Sequence, residues 1–296
     1  MGARSAAHRP PAVYVKKGSS TVFQNRAEAL TLALPAATFA ALVFVLPVIV
    51  LLSGGLHVEG RWTLEAYQRF FADPLNRFVV WRTLELGALV TAAAAVIGYA
   101  SALAIVDLPA AGKSRMIGLV VLPLMISPVA RTYAWLVILG RAGIINKVLM
   151  LIGLTDEPIR VLFTQTAVFI GLLQLLLPLM VLSLVSALEN MPNDVIPAAR
   201  VLGANSLQIF VKVVLPLTRE GLVTGGTLVF AGSVTAYITP AILGGSKVLT
   251  LVTLLYQRVT IANDLASASV IAFILIVMSF SANLLLKRIA TRRSLE

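Results

Sequence analysis

Apolar residues along this chain arrive in long unbroken blocks separated by short polar stretches, with neither the strict alternation of a half-buried strand nor the narrow stripe of a surface helix. A helix of about 20 residues, rising about 1.5 Å per residue, crosses a hydrocarbon core about 30 Å thick. The blocks predict six such helices, over residues 29–53, 86–106, 116–139, 162–187, 221–241 and 267–286. The first is longer than the about 7 to 15 apolar residues of a secretory leader, so it reads as an anchor rather than a cleaved signal. The expected fold is all-α and polytopic: a tail over 1–28, a membrane domain over 29–286 and a second tail over 287–296.

Composition agrees: 58% of residues are hydrophobic, 12% are charged, and the mean hydropathy of +0.92 is too high for a soluble domain of this length. On a soluble chain the net charge of +11 would suit nucleic acid. Here it points to uneven placement of Lys and Arg across a bilayer, and no nucleic-acid partner is expected. The four segments assigned inside hold 14 Lys and Arg in 80 residues, and the three assigned outside hold 9 in 79. The excess puts both termini in the cytoplasm. There is no cysteine, and His8 and His57 lie in different flanking segments, so neither thiol chemistry nor a His pair for a metal is on offer. Gly112-Lys113-Ser114 has the ending of a phosphate-binding loop, but Asp107 stands where its first glycine belongs and no strand precedes it.

Two outer segments predict structure of their own. One is an amphipathic helix near 63–71, with Thr63 as N-cap and Glu65 in its first turn. The other is a short half-embedded helix over 144–151, set among Gly140, Gly143, Gly153 and Pro158.

Arg131 is the one basic residue inside a predicted span. Counted along a continuous helix from Met116 it lies about 22 Å into the core. There it lines a path, pairs with an outer carboxylate, or snorkels to headgroups beside Tyr133 and Trp135. By these boundaries every Asp and Glu falls in or beside a loop, which argues against a secondary transporter working alone through buried carboxylates. Pro35, Pro47, Pro123, Pro128, Pro178 and Pro240 predict bent helices, and Gly221, Gly225, Gly226 and Gly232 predict close helix packing.

The most informative polar stretch is 194–216. A short helix from Asp194 to Ser206, capped by Asp194, followed by a proline-marked start at Pro216, would explain its pattern, with Gly203 permitting close backbone approach. Ala198-Ala199, three residues, Gly203, nine residues, then Val213-x-Leu215-Pro216 resembles the coupling loop of the membrane subunits of type I binding-protein-dependent ABC importers. Pro197 stands where that loop carries glutamate. The spans add Val121-Leu122-Pro123-Leu124, Arg131-Thr132-Tyr133-Ala134-Trp135, Leu139-Gly140-Arg141-x-Gly143, Asp156-Glu157-Pro158 and Thr239-Pro240 with Ile242-Leu243-Gly244-Gly245. Together these are similar to the first permease of spermidine/putrescine importers; opine, aminophosphonate and ferric-iron importers share much of the pattern.

The resemblance implies a multi-pass subunit of a bacterial inner membrane with no catalytic site of its own. It would work with a second homologous permease, a substrate-binding protein and two ATP-binding subunits that carry the ATP and Mg. Pro197, Ala198, Ala199, Arg200, Gly203, Ala204, Leu215 and Pro216 would couple to the ATPase. For a cationic cargo the spans offer oxygen atoms and aromatic faces, among them Tyr99, Gln165, Phe230 and Thr235, but no carboxylate. The candidate path residues are Arg131, Tyr133, Trp135, Gln174, Tyr237 and Thr239.

Overall fold

The computed structural model describes residues 34–58 and 60–292. The tail expected over 1–28 lies outside them, as do the last four residues. The chain divides at Val50 into two units. In chain order the helices are α1 (Leu34–Gly54), α2 (Glu65–Ala72), α3 (Pro74–Val106), α4 (Ala110–Met125), α5 (Pro128–Leu139), α6 (Ile144–Leu151), α7 (Gln165–Glu189), α8 (Val195–Val201), α9 (Ser206–Leu217), α10 (Arg219–Thr235), α11 (Leu251–Thr260) and α12 (Leu265–Arg292). A two-stranded hairpin, His57–Val58 against Arg61–Trp62, precedes α2. Among the described residues five stretches are long and apolar enough to cross a membrane, and α9 with α10, bent by 69°, makes a sixth. The protein is an all-α integral membrane protein.

The apolar blocks located the spans, but several boundaries move. Span two begins at Pro74 rather than residue 86, because Asp73 caps the Leu75 N–H at 2.8 Å and Pro74 occupies the first turn. The polar residues that hid this extension serve neighbouring backbone. Asn76 donates to the Phe70 carbonyl, Arg82 donates to that of Lys247, and the Thr83 hydroxyl accepts from the Leu251 N–H. The extension also overturns the expectation that every carboxylate sits in or beside a loop, since Glu85 lies well inside α3. The span expected over 116–139 is two helices, α4 and α5, parted at Ile126 and Ser127, and the stretch long and apolar enough to cross a membrane is Pro128–Leu151, which takes in the helix over 144–151 expected to be only half-embedded. Span five stops at Thr235, and after Ala236 and Tyr237 the chain turns through a π-helical stretch, Pro240–Gly244. The tail expected from residue 287 is instead the end of α12, helical through Arg292.

Two of the prolines share one local solution. The π-helical stretches Ala41–Val45 and Phe210–Val214 each end two residues before a proline, Pro47 and Pro216. A proline inside a helix has no N–H to donate and its ring crowds the carbonyl four residues back. A wider turn just upstream respaces that carbonyl without ending the helix.

Within the second unit the core is a three-helix contact of α3, α7 and α10. Val90 and Ala94 of α3, Met180 and Leu184 of α7 and Val229 of α10 are fully buried. Glycines bring the backbones together: a Cβ at Gly221 would lie 2.4 Å from the Ala187 Cβ, and one at Gly225 would lie 2.7 Å from the Met180 sulfur. The expected small faces are therefore packing surfaces within the chain. On the outer segments, α6 falls on the expected residues, pinned by buried Asn146, whose amide bonds the backbone of Gly140 and Ile159. Thr63 is not a cap: α2 starts behind Leu64, and the Thr63 hydroxyl is buried without a hydrogen-bond partner.

Candidate functional site

The stretch expected to hold one helix from Asp194 to Ser206 holds two. The first, α8, covers Val195–Val201, and the Asp194 side chain does not cap it. Its end is set by Gly203 at φ +78°, with the Gly203 N–H on the Arg200 carbonyl at 3.0 Å and the Ala204 N–H on the Ala199 carbonyl at 3.1 Å. This paired closure, five-to-two inside six-to-one, requires a left-handed residue at the position Gly203 fills. Gly203 has open space around a would-be Cβ, so its function is conformational and not, as expected from sequence, close approach. Ala199 and Ala204, joined by the outer bond, both lie half-buried against the core, which fixes the angle at which α8 leaves it. Asn205 then starts α9, its side chain on the Gln208 N–H at 2.8 Å and the Gln208 side chain on the Asn205 N–H at 3.0 Å.

Pro197, Ala198 and Arg200 lie on the exposed side of α8. At its tip Val201 and Leu202 are 88% and 86% exposed, and Leu207 opens α9 at 71%. Three apolar side chains held clear of the core on two capped short helices form a rigid hydrophobic knob. The sequence reading missed Val201, Leu202 and Leu207; an apolar pair immediately before a closing glycine was the available signal.

Pro216 does not begin a new helix, as had been expected. It lies near the end of α9, behind the π turn, and the chain bends at Thr218 into α10. Thr218 is fully buried and donates to the Val214 carbonyl at 2.7 Å, while the Tyr99 hydroxyl of α3 is bonded to the Thr218 hydroxyl. Phe210 of α9 meets the Tyr99 ring edge-on at 5.2 Å. Tyr99 therefore belongs to the elbow that joins the knob to the membrane helices, and not to a path.

The candidate path residues divide. Arg131, 8% exposed, donates from Nη1 to the Pro123 carbonyl at 2.6 Å, across the break between α4 and α5. It thus supplies a cation where α4 ends and its carbonyls lose their helical partners. The depth reckoned along one continuous helix does not hold, because the helix is broken. Trp135 donates from Nε1 to the Gln174 side-chain oxygen at 3.2 Å, and Thr132 meets Thr239 at 3.4 Å between hydroxyls. Trp135 and Gln174 thus connect α5 to α7, Thr132 and Thr239 connect α5 to the turn after α10, and Arg131 connects α5 back to α4. Tyr133 is 55% exposed and makes none of these bonds, whereas Tyr237 stacks at a tilt on Tyr256 of α11, 4.9 Å between ring centres.

The Gly203 geometry carries a prediction. Gly203→Val places a branched residue where φ is positive and is expected to misalign the knob, cutting the transport that the sequence resemblance leads one to expect about tenfold or more, while Gly203→Asn, which tolerates that conformation, retains most of it. Transport by purified, reconstituted variants measures this. Equal activity for valine and asparagine would show that closure of α8 does not matter.

Residues 119–295 match the family described as binding-protein-dependent transport system inner membrane component. The chain is 36% identical over 233 residues to the spermidine/putrescine transport system permease protein PotB of Haemophilus influenzae, covering 76% of this chain and 81% of that protein. Against PotB of Escherichia coli it is 34% identical over 190 residues, covering 64% and 69%. A chain of a bacterial alginate ABC transporter, crystallised with its alginate-bound periplasmic protein, has the same fold at 16% identity, with a TM-score of 0.76 over 90% of this chain and 95% of that one. The family match covers the break between α4 and α5, the α8–α9 knob and the bend at Thr218, and with the identity to the permease relatives it shows that the chain belongs to the binding-protein-dependent transport system inner membrane components and is a type I ABC importer permease subunit.

Proposed function

We propose that the chain forms half of the membrane path of a polyamine importer in the bacterial inner membrane. It pairs with a second homologous permease, receives spermidine or putrescine from a substrate-binding protein, and rests on two ATP-binding subunits that hold ATP and Mg. The observation that carries the cargo is the 36% identity to the H. influenzae spermidine/putrescine permease along most of both chains. The geometry supports the coupling part: the Val201, Leu202 and Leu207 knob is apolar, rigid and exposed, and the elbow connects it to α10. Pro197 in place of glutamate makes that docking more apolar.

Mechanically, the ATP-binding subunits move the knob, and the movement reaches the membrane through α9, Thr218 and α10. The bond of Arg131 across the α4–α5 break and the contact of Thr132 with Thr239 in the turn after α10 stand where such a movement would rearrange them. Chemistry on ATP belongs to the partner chains, and this chain contributes shape, force transmission and a lined passage.

The assembled complex, reconstituted in liposomes with its binding protein, is expected to take up labelled putrescine or spermidine only when ATP is supplied. Uptake of an opine, an aminophosphonate or ferric iron in preference to either polyamine would replace the cargo and keep the importer. Uptake by this chain without ATP or partners would make it a stand-alone transporter.

A further inference from the structure

Between α7 and α10, on the elbow side of their contact, lies a cleft of about 660 Å³ that the path residues do not reach. Ser183 and Ser186 of α7 and Asn190 just past its end line one wall, Glu220 and Thr224 of α10 line the other, and Leu182, Met191, Pro192 and Leu217 make the rest of the lining apolar. Gly221 explains why the walls stand so close, since it lets α10 touch the Ser183 and Ala187 turn directly. The wall chemistry is biased toward acceptors. The Ser183 hydroxyl donates its proton to the Leu179 carbonyl at 2.8 Å, which leaves its lone pairs free. The Asn190 amide nitrogen donates to the Ser186 carbonyl at 2.8 Å, which leaves its side-chain oxygen as an acceptor. Glu220, exposed at the mouth of the cleft, adds a carboxylate, and among the described residues it forms no ion pair.

We propose that this cleft is an exit site that receives an ammonium group of the cargo as it leaves the membrane. Glu220 is the counter-charge, and Ser183 and Asn190 replace water on the N–H groups. A primary ammonium carries three donors and no acceptor, and this cleft presents one anion with neutral acceptors around it. The proposal rests on the reading of the cargo as a polyamine. It adds a consequence of position: Glu220 sits two residues beyond Thr218, at the start of the arm that the elbow swings. An ammonium bridging Glu220 to α7 ties that arm to the core, so cargo accumulating on the inner side slows the cycle.

The test is direct binding of labelled putrescine to the assembled complex in nanodiscs, without the binding protein, by equilibrium dialysis. The wild type is expected to show one saturable site on this subunit. Glu220→Gln, which keeps size and hydrogen bonding but removes the charge, is expected to weaken it about tenfold, and Glu220→Asp to restore most of it. Assembly of each variant is checked by size exclusion, and the aspartate variant keeps the test informative if the glutamine variant assembles poorly. No saturable binding by the wild type, or equal binding by Glu220→Gln, overturns the site. The uptake assay reads the cargo independently: charge-dependent putrescine binding without polyamine uptake would remove the cargo reading and leave a cation cleft of another transporter.

Discussion

Gly221→Val is expected to damage the α7–α10 contact severely, lowering the thermal midpoint of the purified permease by about 5 °C or more and reducing assembled complex accordingly. A Cβ at this position would lie 2.4 Å from the Ala187 Cβ and 2.7 Å from the Ser183 carbonyl oxygen. Neither atom is the end of a flexible side chain, so the clash can be relieved only by moving α7 and α10 apart. That movement would loosen the contacts that Val229 and Met180 make in the core. Overpacking of this kind costs about 1–3 kcal/mol, against a typical stability of about 5–15 kcal/mol. Gly225→Ala, one turn on, is the informative comparison. It meets the Met180 sulfur, the end of a flexible side chain, at 2.7 Å and the Met180 Cα and Ser183 Cβ only at 3.2 Å, and is expected to cost less. Unchanged midpoints for both would mean that the two helices do not touch along this face.

Arg131→Met should separate the path role that the sequence offered from the break-closing role that the structure shows. If Arg131 chiefly closes the break between α4 and α5, methionine leaves the Pro123 carbonyl without its cation and lowers the midpoint, because a hydrogen bond to a charged group contributes about 1.5–3 kcal/mol. The 2.6 Å contact and the burial of Arg131 favour this outcome, with uptake falling alongside stability by about tenfold. Arg131→Lys keeps the charge but loses the planar fork, so partial recovery is expected. A methionine variant that is as stable as the wild type yet transports nothing would assign Arg131 to the cargo instead.

The spans were legible because a membrane helix leaves its record in uninterrupted apolar length. Their ends were not, because capping and tertiary bonding decide them. Asp73 caps α3, whereas Asp194 and Thr63, equally good on paper, cap nothing. Asn76, Arg82 and Thr83 looked like loop residues but spend their polarity on backbone brought from elsewhere in the fold, up to 168 positions away. The coupling segment was legible in its small residues, since Ala199, Gly203 and Ala204 form one closing motif. Its apolar tip was not, because exposure of Val201 and Leu202 depends on how that motif aims the chain. Prolines marked where helices deform without saying how: Pro123 and Pro128 bracket a full break, while Pro216 is absorbed by a π turn.

The elbow at Thr218 makes α9 and α10 the two arms of a crank. At about 1.5 Å per residue the arms measure about 18 Å and about 26 Å, and the longer arm is the one held in the core against α3 and α7. Tyr99 supplies the pivot, because its bond to Thr218 and its contact with Phe210 hold the vertex against α3. The path from the exposed knob to the packed core thus runs through one vertex, and its geometry is set by where one tyrosine stands on a neighbouring helix.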